Sequence, residues 1–137
     1  MADRSQHDAA YPVNARGRAC CPGMTDDEKT WAMFAHLSLL AHLVAPAVAV
    51  VIPLAIYLIR REASAFVEDH AREALNFQIS LVVYSLLTVP LAIITCGVGG
   101  LLALLVYPLG IIGMVLASMA TGRGEFYRYP MTFRFVG

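Results

Sequence analysis

The sequence predicts an all-α integral membrane protein, with four transmembrane segments, the first two short and tilted, and both termini in the cytoplasm. Three observations carry this reading. No Asp, Glu, Lys or Arg occurs between Thr30 and Ile59, and none between Ala74 and Gly122. Soluble amphipathic helices need a charged face, and these blocks have none. The chain is 58% hydrophobic and 15% charged, against about 25% charged in ordinary soluble domains, and its mean hydropathy is +0.64. All the charges fall before, between and after the two apolar blocks, so no polar remainder is large enough to bury them in water.

Residues 1–24 are polar and carry Pro12, Asn14, Gly17, Pro22 and Gly23 without apolar periodicity, so a disordered tail is expected there. No apolar run follows its arginines before Trp31, which excludes a signal peptide. Met24 is a second candidate start, because the patterned sequence begins one residue later. Residues 25–137 form the multispan membrane domain, with spans at about 28–44, 46–60, 68–92 and 100–121.

Thr25-Asp26-Asp27-Glu28 is a capping box, with Thr25 as cap and Glu28 at the third helical position. The acidic run also meets the positive end of the helix dipole. Trp31 follows one turn later, where an interfacial aromatic belongs. The first apolar block, Trp31 to Ile59, would be about 43 Å long as one helix, too long for a hydrocarbon core of about 30 Å and too short for two full spans. Pro46 and Pro53 interrupt it. A strongly tilted, kinked span and a short hairpin breaking near Ala45-Pro46 both fit.

Ser64 is a candidate cap for the next helix, which begins amphipathically and becomes apolar to about Pro90. Thr95 to Gly100 is an uncharged turn. The last span runs from Leu101 to about Ala120 and contains Pro108, Gly110 and Gly113, which membrane helices tolerate. Arg60, Arg61 and Arg72 precede the second hairpin and Arg123, Arg128 and Arg134 follow it, which places both flanks inside. A first hairpin also keeps Arg4, Arg16, Arg18 and Lys29 inside, and this favours four segments over three.

The net charge is zero, which gives no electrostatic footprint for nucleic acid. Cys20, Cys21 and Cys96 have no metal or haem spacing and read as free thiols. His36 and His42 are the intramembrane polar candidates on the first helix. They are six positions apart, about 600° of rotation, so they cannot share a metal on one straight helix and are expected to hydrogen-bond neighbouring helices. On the long helix, His70, Glu73, Phe77, Ser80 and Tyr84 form one stripe, with Asn76 beside it. A His-x-x-Glu pair ligates iron or manganese only with further core carboxylates, and the spans supply none. His70, Glu73, Asn76, Gln78 and Arg128 are expected to form a structural polar cluster, with Glu73 paired to Arg128. Asn76 and Gln78 lie about 200° apart and must serve different neighbours. Gly113 and Ala117 form a small-residue helix-packing face. No catalytic, cofactor or metal constellation emerges, and no enzyme activity is expected.

Several motifs together resemble a known family. They are Asp27-Glu28-Lys29-Thr30-Trp31, Ala35-His36-Leu37-Ser38, Ser64 with Phe66-Val67 and His70, Glu73-Ala74-Leu75-Asn76-Phe77-Gln78-Ile79-Ser80, and Gly124-Glu125-Phe126-Tyr127-Arg128-Tyr129-Pro130. They resemble the prokaryotic membrane family of unknown function related to the twenty-kilodalton subunit of the chloroplast inner-envelope import (Tic) translocon. The likeness covers about residues 26 to 136, with Ala65 standing where that pattern has proline. It implies a multispan protein of the prokaryotic inner membrane without enzymatic activity. The expected partners are the lipid bilayer and other membrane proteins or further copies of itself, in a structural or adaptor role. The alternative is an oligomeric channel or protein-translocation component.

Overall fold

The computed structural model describes residues 11–137, within which four α-helices and two short 3-10 segments account for the regular structure. Helix α1 covers Asp26–Leu37 and passes into a 3-10 segment, Ser38–Leu43. Helix α2 covers Pro46–Arg60, α3 covers Ala65–Ile94, and α4 covers Leu101–Gly122 after a 3-10 turn at Val98–Gly100.

The local signals at the first helix act as expected. The Thr25 hydroxyl accepts the Glu28 amide at 3.2 Å, and the Glu28 carboxylate accepts the Thr25 amide at 2.9 Å. The same carboxylate accepts the Ser64 hydroxyl at 2.7 Å, and Ser64 caps α3 through the Val67 amide. One side chain thus ties two helix N-termini together. Arg60 closes this end, 3.5 Å from Asp27 and over the Trp31 ring at 4.3 Å.

The first apolar block is a hairpin that breaks at Ala45, with Pro46 in the first turn of α2, where its missing N–H costs nothing. The expectation of four spans is corrected to two. Among the described residues, only α3 and the Val98–Gly122 segment are long and apolar enough to cross a membrane, with mean hydropathies of 2.1 and 2.3. Helix α2 has 15 residues, about 22 Å against a core of about 30 Å. Leu39, six residues before the break at Ala45, packs with Phe77 and Leu81, and the tip itself is exposed at Val44. From Leu81, α3 continues to Ile94, about 20 Å further at 1.5 Å per residue.

The core has three parts. Ala35, Ile56, Val67, Ala71 and Ala74 join α1, α2 and the first half of α3. Leu39, Phe77, Leu81, Met114, Ala117 and Ala120 join α3 and α4 to the tail residues Tyr127 and Tyr129. Ala32, Phe66 and Phe126 form the third, beneath Tyr11, Cys21 and Met24. At the turn, a Cβ on Gly99 would stand 2.7 Å from the Leu91 side chain and 2.9 Å from its backbone, so only glycine fits. The outer half of α3 and most of α4 expose leucine, isoleucine and valine, a surface far larger than soluble monomers show.

Residues 11–24 are not the structureless tail expected from composition. They fold back on themselves, with a bridge between Val13 and Ala19, and pair with the chain after α4 through Cys20 and Glu125. The Cys21 amide donates to Gly124 and the Phe126 amide to Ala19, both at 2.9 Å. Pairing of two short extended segments leaves no periodic trace, so composition alone missed it. The part of that expectation covering residues 1–10, like the placement of Arg4, lies outside the described residues.

The N-terminal segment, the α2–α3 connection and the C-terminal tail all meet at one end, and the glycine turn lies at the other. If the first hairpin enters and leaves on one side, Cys96, which is exposed in the turn, will react with an impermeant maleimide from outside the cell. Ala45→Cys in a background with Cys20, Cys21 and Cys96 replaced by serine will not. Outside labelling at position 45 would mean that the first hairpin crosses completely.

Candidate functional site

A line of polar side chains on α3 faces inward along almost three turns, at spacings of three and four residues. Asp69, Glu73, Asn76 and Ser80 are all buried, and Tyr84 continues the line. This stripe holds the C-terminal tail. The Glu73 carboxylate accepts the Tyr129 amide at 2.9 Å. The Asn76 side chain accepts the amides of Phe135 and Val136 at 2.9 and 2.8 Å and donates to the Val136 carbonyl at 2.9 Å. Ser80 Oγ accepts the Phe133 amide at 2.9 Å, and the Tyr84 hydroxyl donates to the Met131 carbonyl at 2.5 Å. The tail therefore descends beside α3 to a turn at Pro130-Met131 and climbs back, its backbone bonded by side chains of a helix.

Behind the tail lies a histidine pair. His36 Nε2 and His70 Nδ1 are 2.9 Å apart, and His36 Nδ1 is 3.1 Å from the Tyr129 hydroxyl. Both rings are fully buried. The short contact needs one nitrogen to donate and the other to accept, so the pair holds a single proton between them. Phe66 and Phe126 enclose His70, the latter stacked at 5.8 Å. His42 does not join this group. It sits near Tyr107, ring centroids 6.1 Å apart, with Nδ1 buried and without a hydrogen bond among the described residues. Gln78 turns away from Asn76, as its angle required, and donates to Ser38 at 2.7 Å.

The expected Glu73–Arg128 pair is corrected. Asp69 is the bidentate partner of Arg128, through Nη1 to Oδ2 and Nη2 to Oδ1, the latter at 3.0 Å. Arg72 reaches the same carboxylate at 3.1 Å. Glu73 lies one turn deeper, where it meets the Tyr129 amide and stands 3.9 Å from Arg134. Asp69 is nearer the charged end, where a guanidinium keeps part of its hydration. It was legible in principle, being four residues before Glu73 on the same stripe.

Gly113 faces the tail rather than another helix, since a Cβ there would stand 3.0 Å from the Tyr129 ring, and Ala117 is fully buried in the same cluster. Tyr129 in turn stacks on Phe77 at 4.0 Å.

Glu125 went unrecognised in the sequence. Arg16, Arg18 and Arg123 stand 3.1, 3.7 and 2.9 Å from its carboxylate, which is 3% exposed. Asn14 donates to it at 2.9 Å. The Arg123 hydrogen bonds, with the charges of Arg123 and Arg16, hold this carboxyl below the usual glutamate range against the opposing effect of burial. Among the described residues, no group of three or more His, Cys, Asp or Glu is placed to hold a metal ion. The chemistry of the site is that of a clasp, with most of its polar atoms engaged by the chain's own groups; His70 Nε2 and Gln78 Oε1 are buried without a hydrogen bond among the described residues.

Two outcomes follow. Asp69→Asn and Arg128→Gln will each destabilise the protein by roughly 2–3 kcal/mol, below the buried-pair range because Arg128 keeps some water. The double variant will lose less than the sum in detergent melts, and additivity would show that the two side chains do not interact. Glu125 is ionised more readily when folded than when free. Its stabilisation is therefore complete at neutral pH and is lost as pH falls below about 4.3, the ordinary glutamate value. Proteolysis within residues 11–21 will accelerate on that acid side, and Glu125→Gln will abolish the pH dependence. An unchanged cleavage rate across that range would exclude Glu125 as the tether.

No curated protein and no solved structure matches the chain, and nothing links it to the chloroplast import family. A family model does match, over residues 27–136, a stretch that holds nearly all of α1, the α3 stripe and the tail it binds. With that match covering most of its length, the chain belongs to the MamF/MmsF family, the magnetosome magnetite crystal formation protein family.

Proposed function

We propose that this protein is a multi-pass, non-catalytic structural or adaptor component of a prokaryotic membrane, the magnetosome or the inner membrane, acting there in magnetite crystal formation. The observation that carries the reading is the closed polar interior combined with an apolar exterior. His36, His70, Glu73, Asn76 and Ser80 are spent on internal hydrogen bonds, and the exposed face of α4 presents leucines and isoleucines. A molecule built in this way has little to offer a soluble substrate and a large surface for lipid and for other membrane proteins. The family match supports the process named. Under this reading both described ends face the cytoplasm, since the basic residues gather there. The oligomeric channel alternative requires polar groups on an outward face of the spans, and the buried polar residues of α3 point into this chain's own core.

Complementation tests this. In a magnetite-forming bacterium lacking its own family member, the chain should restore crystal size and number as seen by electron microscopy, and a fluorescent fusion should follow the crystal-bearing membranes. Deleting residues 130–137 should abolish both, because α3 then loses the partner of its polar stripe. Normal crystals without the gene would sink the proposed role. Ion or protein conduction by the purified protein in vesicles would replace the adaptor reading with the channel.

A further inference from the structure

Helices α3 and α4 do not close against each other along their length. The tail hairpin wedges between them at the charged end, with Tyr129 against Gly113. Beside the wedge lies a laterally open groove of about 220 Å³, lined mostly by apolar side chains of α3 and α4, among them Phe77, Leu81, Val106 and Leu116, and walled on one side by the tail from Tyr127 to Met131. The lining on α4 runs from Leu116 to Val106, about 15 Å along the axis at 1.5 Å per residue. That is one leaflet's share of a hydrocarbon core about 30 Å thick. A helix of that length, about 10 Å across, displaces roughly five times the volume of the groove.

Polar features gather at the charged end of this groove. The Tyr127 hydroxyl lies 3.9 Å from the position of a Gly113 Cβ, and it makes no hydrogen bond within the described residues. The Arg18 guanidinium stands over the same ring, 5.5 Å from its centre. Arg16, Arg18 and Arg123 share the one carboxylate of Glu125, which leaves this set with an excess of two positive charges, three minus one. An apolar slot one leaflet deep, then a free hydroxyl, then excess positive charge, is the order of groups along a phospholipid read backwards.

We propose that this groove binds an anionic glycerophospholipid. One acyl chain lies between α3 and α4, the Tyr127 hydroxyl donates to its ester carbonyl, and the arginine set around Glu125 faces its phosphate. The site is independent of any role in crystal formation and needs only that α3 and α4 sit in a bilayer.

The full chain, purified in mild detergent and stripped of lipid, is compared with phosphatidylglycerol and with phosphatidylcholine of the same acyl chains. Phosphatidylglycerol should remain as an adduct in native mass spectrometry and raise the melting temperature by several degrees more than phosphatidylcholine. Val106→Trp fills the groove from a half-buried position and should remove both responses while melting normally without lipid. Should that variant melt low by itself, Leu109→Phe, on an exposed part of the lining, reads the same effect. Arg18→Gln should erase the preference for the anionic lipid, and Tyr127→Phe should weaken retention several-fold. Equal responses to the two lipids in the unmodified protein, or undiminished adducts in the filled groove, would overturn the proposal. So would a change of oligomeric mass on filling it, which would mark the groove as a contact between copies.

Discussion

Non-helical backbone beside apolar helices must find hydrogen bonds inside the protein, because hydrocarbon offers none and each orphaned group costs several kcal/mol. The rest of this structure depends on how that constraint is met. The tail from Glu125 onward is neither helix nor sheet, and it descends along α3 to the level of Tyr84. Glu73, Asn76, Ser80 and Tyr84, spaced by three and four residues along one face, replace the neighbouring strand that an extended segment would otherwise require. The polar stripe and the irregular tail explain each other: without the tail, α3 would bury four polar side chains, and without the stripe, the tail could not lie where it does.

Carboxylates organise the charged end in the same economical way. Glu28 joins the starts of α1 and α3, Asp69 joins α3 to the tail, and Glu125 joins the tail to residues 14–18. Each is a single acceptor shared by donors from separate parts of the chain. A buried carboxylate is costly alone and tolerable only when its oxygens are filled by such donors. The segments that flank the helices, among the described residues, are thereby held by the helices themselves.

What the sequence made legible was local. Thr25 with Glu28 and Ser64 before Phe66 mark helix starts, because capping needs residues only three apart. Proline at 46 marks the break, because its chemistry acts on its own turn. The separate fates of Asn76 and Gln78 followed from helical geometry. Depth was harder to read: residues 31–59 are apolar enough for a crossing, but α2 is shorter than the hydrocarbon core, and no sequence period tells how far the hairpin reaches along α3. The partner of Arg128 was misassigned by one turn, since Asp69 and Glu73 share a face and only the tail's path chooses between them. Glu125 and the ordering of residues 11–24 were invisible, because pairing of two extended segments more than a hundred residues apart has no period.

The shallow first hairpin gives the molecule a taper. Near the charged end a cross-section cuts α1, α2, α3, α4 and the tail, whereas near the glycine turn it cuts only α3 and α4. In a bilayer such a wedge displaces more area from one leaflet than from the other. Many copies side by side in a bilayer would favour a bent sheet, with the crowded leaflet on the convex surface.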